Sequence, residues 1–132
     1  MQGPQEEIGR DPGVAAIYTL PFPPTVNNLF SGRQKRYTSK TYRRWKAQAG
    51  LAILAQKRQQ GAAPDRVSVR IRLTPPDRRQ RDAGNYEKAV MDLLVATGII
   101  EDDRAKYVRE VTIGWTDEVR APGSAIVTLA AA

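Results

Sequence analysis

An α+β domain is the fold class this sequence predicts, with two helices packed on a small mixed sheet in the order β-α-β-α-β-β. Three observations carry it. Val67, Val69, Ile71 and Leu73 alternate strictly with Ser68, Arg70, Arg72 and Thr74, the pattern of a strand with one buried face. Two runs, about residues 39–59 and 84–97, repeat apolar side chains at helical spacing. Two more alternating segments close the chain. Its 132 residues suffice for one core, and 41% hydrophobic with 27% charged residues is ordinary globular usage.

Taken in order, residues 1–13 carry prolines and glycines with little apolar content and read as a flexible lead-in, leaving 14–132 as a single domain. Ala15, Ile17 and Leu20 form a short first strand, ended by Pro21, Pro23 and Pro24, which cannot donate to a ladder. Asn27 and Asn28 mark a turn, and residues 30–37 a basic loop. Thr38 or Ser39 caps a helix reaching about Gln59, with Tyr42, Trp45, Ala49, Ala52 and Ile53 inward and Gly61 closing it. The strand at 67–74 stops at Pro75-Pro76. A second helix from about Gly84 turns Tyr86, Val90, Leu93, Leu94 and Thr97 inward, with Gly98 as its C-cap. Val111, Ile113 and Trp115 alternate in the next strand, and Ala125 to Leu129 make the last.

Absences narrow the chemistry. The chain has no cysteine and no histidine, which removes disulfide scaffolds, thiol nucleophiles, zinc ribbons and Ser-His-Asp catalysis. Carboxylates, Lys, Tyr or a hard metal ion remain. No segment offers the run of about 20 apolar residues a membrane span needs, and no secretory pattern opens the chain, so a cytoplasmic protein without a membrane partner is expected.

Charge is divided along the chain. The formal net charge is +7, and between Pro12 and Pro64 there is no acidic residue, while Arg33, Lys35, Arg36, Lys40, Arg43, Arg44, Lys46, Lys57 and Arg58 give nine positive charges. Arg78, Arg79 and Arg81 extend the basic run. The sign then reverses: Asp82, Glu87, Asp92, Glu101, Asp102 and Asp103 stand against Lys88. A one-sign basic surface beside clustered carboxylates suits phosphate binding next to divalent-metal chemistry.

Asp82, Asn85 and Lys88 fall where they can converge near the start of the second helix, and Asp102-Asp103 follows in the loop after it. Each also has a purely structural reading: Asp82 as an N-cap, Asn85 in a capping arrangement, Lys88 with Asp92 as an i, i+4 pair, and Asp102-Asp103 as a solvated turn. Whether Asp103 meets Asp82 is a matter of tertiary structure. Tyr107 and Trp115 read as core or interface residues.

Four motifs in order, Pro21-Phe22-Pro23-Pro24 with Asn27, Thr38-Ser39-Lys40-x-Tyr42-Arg43-x-Trp45, Pro76-Asp77-Arg78-Arg79-x-Arg81-Asp82-x-x-Asn85-x-x-Lys88, and Gly98-x-x-x-Asp102-Asp103, closely resemble the RusA family of Holliday-junction resolvases over about residues 15–130. The resemblance implies a RusA-like fold and a homodimer that binds four-way DNA junctions and nicks two opposed strands with Mg²⁺ or Mn²⁺. It also implies catalytic roles for Asp82, Lys88 and Asp103, metal binding by Asp82, Asp102 and Asp103, and a supporting Asn85. DNA binding falls to Arg33, Lys35, Arg36, Lys40, Arg43, Arg44, Arg78, Arg79 and Arg81. One position departs: where the family pattern has a second aspartate, this chain has Gly84, so slow cleavage or none is expected, and a junction-binding protein without catalysis is the alternative. Size and charge alone also allow a small RNA-binding protein, though the aromatic-interleaved strands of RNA-recognition sheets are missing.

Overall fold

The computed structural model describes residues 13–26, 30–31 and 37–132. Six strands and two α-helices follow one another as β1 (Val14–Pro21), β2 (Phe30–Ser31), β3 (Tyr37–Thr38), α1 (Lys40–Lys57), β4 (Val67–Thr74), α2 (Glu87–Ala96), β5 (Val108–Trp115) and β6 (Ser124–Ala131). The main sheet has the order β1-β6-β4-β5. β6 runs antiparallel to both β1 and β4, while β4 and β5 are parallel, so the sheet is mixed as the sequence predicts. The chain connects β4 to β5 through α2, the crossover that a parallel pair requires.

Each strand presents alternate residues to the core. Ala16, Tyr18 and Leu20, then Val127 and Leu129, then Val69, Ile71 and Leu73 share one face, and on it they meet Tyr42, Trp45, Ala49 and Ile53 of α1 and Val90, Leu93 and Leu94 of α2. These aliphatic side chains leave water almost completely, each contributing roughly 1.5–3 kcal/mol. Ser39 is the N-cap of α1, its Oγ accepting from the Tyr42 N–H at 3.0 Å.

Three local expectations shift. The helix expected from Gly84 opens instead as a 3₁₀ turn, Ala83–Tyr86, before α2 begins at Glu87. Glycine at 84 favours no α-helical start, and Tyr86 is fixed by tertiary packing instead. The first helix ends at Lys57, short of Gln59, with Arg58 as its C-cap, and Gln60 beyond it reaches out to β1. The basic loop is bracketed by a short ladder, Phe30 opposite Thr38 and Ser31 opposite Tyr37; Asn27, Asn28, Arg33, Lys35, Arg36 and residues 1–12 lie outside the described residues.

Because β1, β4 and β5 run the same way, the sheet has two distinct ends. Pro21, Thr74 and Trp115 mark what we call the upper end, and Val67 and Val108 the lower. Each functional candidate belongs to one end or the other.

Candidate functional site

At the upper end, the chain leaving β4 forms a tight basic loop before Asp82. Asp77 organises it: its Oδ1 accepts the Arg79 backbone N–H at 2.9 Å and lies 2.8 Å from Arg81 Nη2. The Arg79 N–H foremost, then the Arg81 side chain, hold the Asp77 carboxyl below the ordinary carboxylate range. Arg81 Nη1 also donates to the carbonyls of Asp77 and Arg79, both at 3.2 Å, and its guanidinium lies 5.7 Å from the Phe22 ring centroid. Phe22 in turn packs on Tyr86 at 5.0 Å and Trp115 at 6.4 Å. The side chain of Arg81, expected on DNA, is 13% exposed against 80% for Arg79 and is held by these protein partners. Arg78 and Arg79 remain turned to solvent.

This buttressed loop delivers Asp82 to the rim of a cleft of about 580 Å³ lined by Thr25, Gln80, Arg81, Asp82, Asn85 and Tyr86. Asp82 precedes the 3₁₀ turn but makes no side-chain cap bond, and its exposed carboxylate has no partner among the described residues. Asp82 therefore stands at the N-cap position of the turn, in extended backbone, without its side chain capping it. Asn85 is half-buried in the same cleft, its N–H donating to the Asp82 carbonyl at 3.1 Å. Lys88 follows in the first turn of α2, paired with Asp92 at 3.3 Å with both side chains substantially exposed. Such a pair is worth at most about 1 kcal/mol and releases its lysine readily. A Cβ added at Gly84 meets nothing within 4 Å, so the position is open.

The first turn of α1 belongs to this end too. The Trp45 indole N–H donates to the Pro21 carbonyl at 2.9 Å, which ties the helix start to the top of β1. Lys40, Arg43 and Arg44 are exposed there. Tyr42, buried between the helices, has its hydroxyl pKa raised by burial and further by the charge of Asp92.

Asp102 and Asp103 stand at the lower end. The loop that carries them leads into β5 through Tyr107, whose carbonyl accepts from the Val67 N–H at 2.9 Å, and the Ala105 carbonyl accepts from Arg66 Nε at 3.1 Å. Asp102 pairs with Arg104 at 2.9 Å. Desolvation acts to raise its pKa, but hydrogen bonds from Asp103 and the charge and N–H of Arg104 outweigh that and leave it lowered. Arg104 and Lys106 flank the Tyr107 ring at 5.8 and 5.4 Å, a basic and aromatic cluster that the sequence reading passed over because its charges are scattered between acids.

The structure thus gathers Asp82 and Asn85, with Lys88 beside them, and keeps Asp102 and Asp103 apart from them within one chain. The reason is topological. A crossover leaves β4 at the top and enters β5 at the bottom, so the two carboxylate groups are separated by about the length of an eight-residue strand, roughly 25 Å. Among the described residues no three carboxylates come together to hold a metal ion. Both groups offer hard oxygen donors, the kind that suit Mg²⁺ or Mn²⁺.

A family model described as Endodeoxyribonuclease RusA matches residues 21–123, which include the β1 exit, both helices, the Asp82 loop and the Asp103 loop. The chain belongs to the RusA family. Among its RusA relatives is the crossover junction endodeoxyribonuclease of Enterobacteria phage HK97, 29% identical over 65% of this chain and 72% of that protein. Those of Escherichia coli strain K12 and Enterobacteria phage 82 are each 33% identical, over 64% of this chain and 71% of theirs. Among the described residues no helix is long and apolar enough to cross a membrane.

Proposed function

We propose that this protein is a divalent-metal-dependent endonuclease that binds four-way DNA junctions in the cytoplasm and nicks two opposed strands as a homodimer. The observation that carries the reading is the upper cleft: an unpartnered Asp82 with Asn85, on a loop braced by Asp77 and Arg81 that also carries the exposed Arg78 and Arg79, in a chain whose family relatives are named crossover junction endodeoxyribonucleases. Phosphate-directed cations next to a free carboxylate are what hydrolysis of a polyanion needs.

Asp82 and Asn85 from one end, with Asp103 and Asp102 from the other, would hold the cation, which when bound lowers the pKa of its water and offsets charge on the phosphate. Lys88, released from Asp92, would face the developing negative charge, since no histidine is available. The exposed arginines would fix the flanking phosphates. A single copy leaves the carboxylates about a strand length apart. Two copies related by a two-fold axis can bring Asp82 of one to Asp103 of the other, and do so twice, as paired incision of a near-symmetric junction requires.

Gly84 withholds one carboxylate from this set, so nicking is slow. The alternative, a junction-binding protein without catalysis, is favoured by that same glycine. The test is a synthetic four-way junction with Mg²⁺ or Mn²⁺, and binding in EDTA alongside. Expected are binding in EDTA, slow paired nicking by the native chain, nicking at least about tenfold faster for Gly84→Asp, which has open space for the new side chain, and loss of more than about a hundredfold for Asp82→Asn. Nicking unaffected by Asp82→Asn would refute the site. Binding without nicking, even in Gly84→Asp, would establish the non-catalytic alternative.

A further inference from the structure

Helix α1 buries one face and leaves another that solvation alone does not explain. Tyr42, Trp45, Ala49 and Ile53 enter the core, and on the opposite side Ala47, Leu51, Leu54 and Arg58 form a stripe at helical spacing. Leu51 is 68% exposed and Leu54 66%, far more than Val26 and Val119, the other exposed large apolar side chains among the described residues. The two leucines are one turn apart and make a single patch, with Ala55, Lys57 and Arg58 completing a shallow depression around them. Leucines scattered singly on a surface need no explanation, but an adjoining pair on the solvent side of an amphipathic helix does. Gly50 borders the same patch, one turn before Leu54. Glycine is unfavourable inside a helix, and here a Cβ would meet nothing within 4 Å, so packing within the chain does not require it. A neighbour approaching α1 closely would.

We propose that this face of α1 docks an acidic amphipathic helix of another protein. Apolar side chains of the partner cover Leu51 and Leu54, the small residues Ala47, Gly50 and Ala55 let the two helices approach, and the partner's carboxylates meet the cations that frame the stripe. Those cations are Arg44 at one end and Lys57 and Arg58 at the other, all exposed and none in an ion pair among the described residues. From Lys40 to Lys57 the helix carries no acidic residue. That one-sign charge chooses among the possible occupants. A second copy presenting this face would set like charges against each other, which repel. Nucleic acid would satisfy the cations and leave the leucines in water. A bilayer surface takes up helices through a broad apolar face, and the broad apolar face of α1 is already buried in the core. An acidic segment with apolar side chains at i, i+3, i+4 and i+7 answers both the charge and the leucines.

The patch lies on the lower half of α1, whereas the bond from Trp45 to Pro21 marks the upper end of the helix. Between Lys40 and Leu54 the helix rises about 21 Å, so a partner on the leucines sits well away from the start of α1. A contact of about three helical turns belongs to the small, rapidly exchanging class. Exposure, spacing and charge carry this inference whatever the upper cleft does, so it stands apart from the functional reading.

The test is fluorescence anisotropy with the full chain and a labelled, glutamate-rich helical peptide of about 20 residues whose leucines repeat at i, i+3, i+4 and i+7. One control peptide replaces its leucines with glutamine and the other its glutamates. Saturable micromolar binding is expected for the first peptide, and binding at least about tenfold weaker for each control. Leu51→Gln/Leu54→Gln should weaken the first peptide at least about tenfold, and Lys57→Gln/Arg58→Gln at least about threefold, with only the second difference shrinking as salt is raised. Glutamine keeps the helix propensity of these positions, and circular dichroism checks that α1 is intact. Should the leucine variant fold poorly, the glutamine-substituted peptide asks the same question of the native chain. No saturable binding, equal binding of the leucine-free peptide, or native-like binding by an intact Leu51→Gln/Leu54→Gln variant would each overturn the proposal. Leucine-dependent binding tighter than that of the peptide to phosphatidylglycerol vesicles or to duplex DNA would overturn it too, as would leucine-dependent self-association in the ultracentrifuge, by giving the face to a bilayer, to nucleic acid or to a second copy.

Discussion

The closed β1 edge and the open β5 edge are both eight-residue strands flanking the same sheet, yet they are held in opposite ways. β1 is secured from outside, by Gln56 near the end of α1 and Gln60 just beyond it, and by an indole at its top. Among the described residues β5 is secured by β4 and by what happens at its ends: Trp115 wedged against Phe22 and Tyr86 above, Tyr107 hydrogen-bonded into the sheet below. The contrast teaches that side-chain amides can retire an edge of the main sheet without adding a strand.

Opening the closed edge is the largest way to break the contrast. The double variant Gln56→Ala/Gln60→Ala removes four hydrogen bonds that span more than thirty-five residues of sequence each. At about 0.5–1 kcal/mol apiece, with water replacing part of each at this partly exposed site, a loss of about 2–3 kcal/mol is expected in urea unfolding. The variant should also self-associate through β1, detected as concentration-dependent species larger than those of the native chain. Unchanged stability and unchanged association would mean that water closes this edge as well as the glutamines do.

These glutamines also show where sequence reading stops. The alternation at 67–73 and the apolar stripe through Tyr42, Trp45, Ala49 and Ile53 are local patterns, and both appear as read. Gln56 and Gln60 look like ordinary solvated residues until the strand 37 or more positions away is in place beside them. Asp82, Asn85 and Lys88 lie within one stretch, so their nearness was legible. The separation of Asp103 was not, because it depends on β4 and β5 being parallel, and hydrophobic alternation is the same for either strand direction. The bracing role of Arg81 was hidden for a similar reason: its sequence neighbours are exposed arginines, and only the folded Phe22 ring and the Asp77 carboxylate distinguish it.

Arg81 supplies the next test, at the top of the open edge. Arg81→Met keeps a side chain on Phe22 but loses the ion pair and both carbonyl acceptors, so a destabilisation of about 1–2 kcal/mol is expected. Because Trp115 shares the cluster, its fluorescence should change while that of Trp45, under α1, does not; selective Trp→Phe variants separate the two signals. An effect of this size without any change at Trp115 would mean that the loop is organised independently of the β5 end.

The smallest effect follows from Asp77. Its carboxyl is held below the ordinary value, principally by the Arg79 N–H and then by Arg81, so it binds a proton less readily in the folded chain than in the unfolded one. The stabilisation it gives is therefore fully present above the unfolded carboxylate value of about 3.9 and is lost as the pH falls through the lower folded value. At neutral pH no dependence is expected; below about pH 4 the loop should loosen, and Trp115 fluorescence should shift toward that of the Arg81→Met variant. Asp77→Asn keeps an oxygen for the Arg79 N–H but cannot titrate, so it should remove the acid transition while leaving the β1 edge untouched. A transition that survives in Asp77→Asn would assign the acid sensitivity to another carboxylate and detach the order of this loop from the Asp77–Arg81 pair.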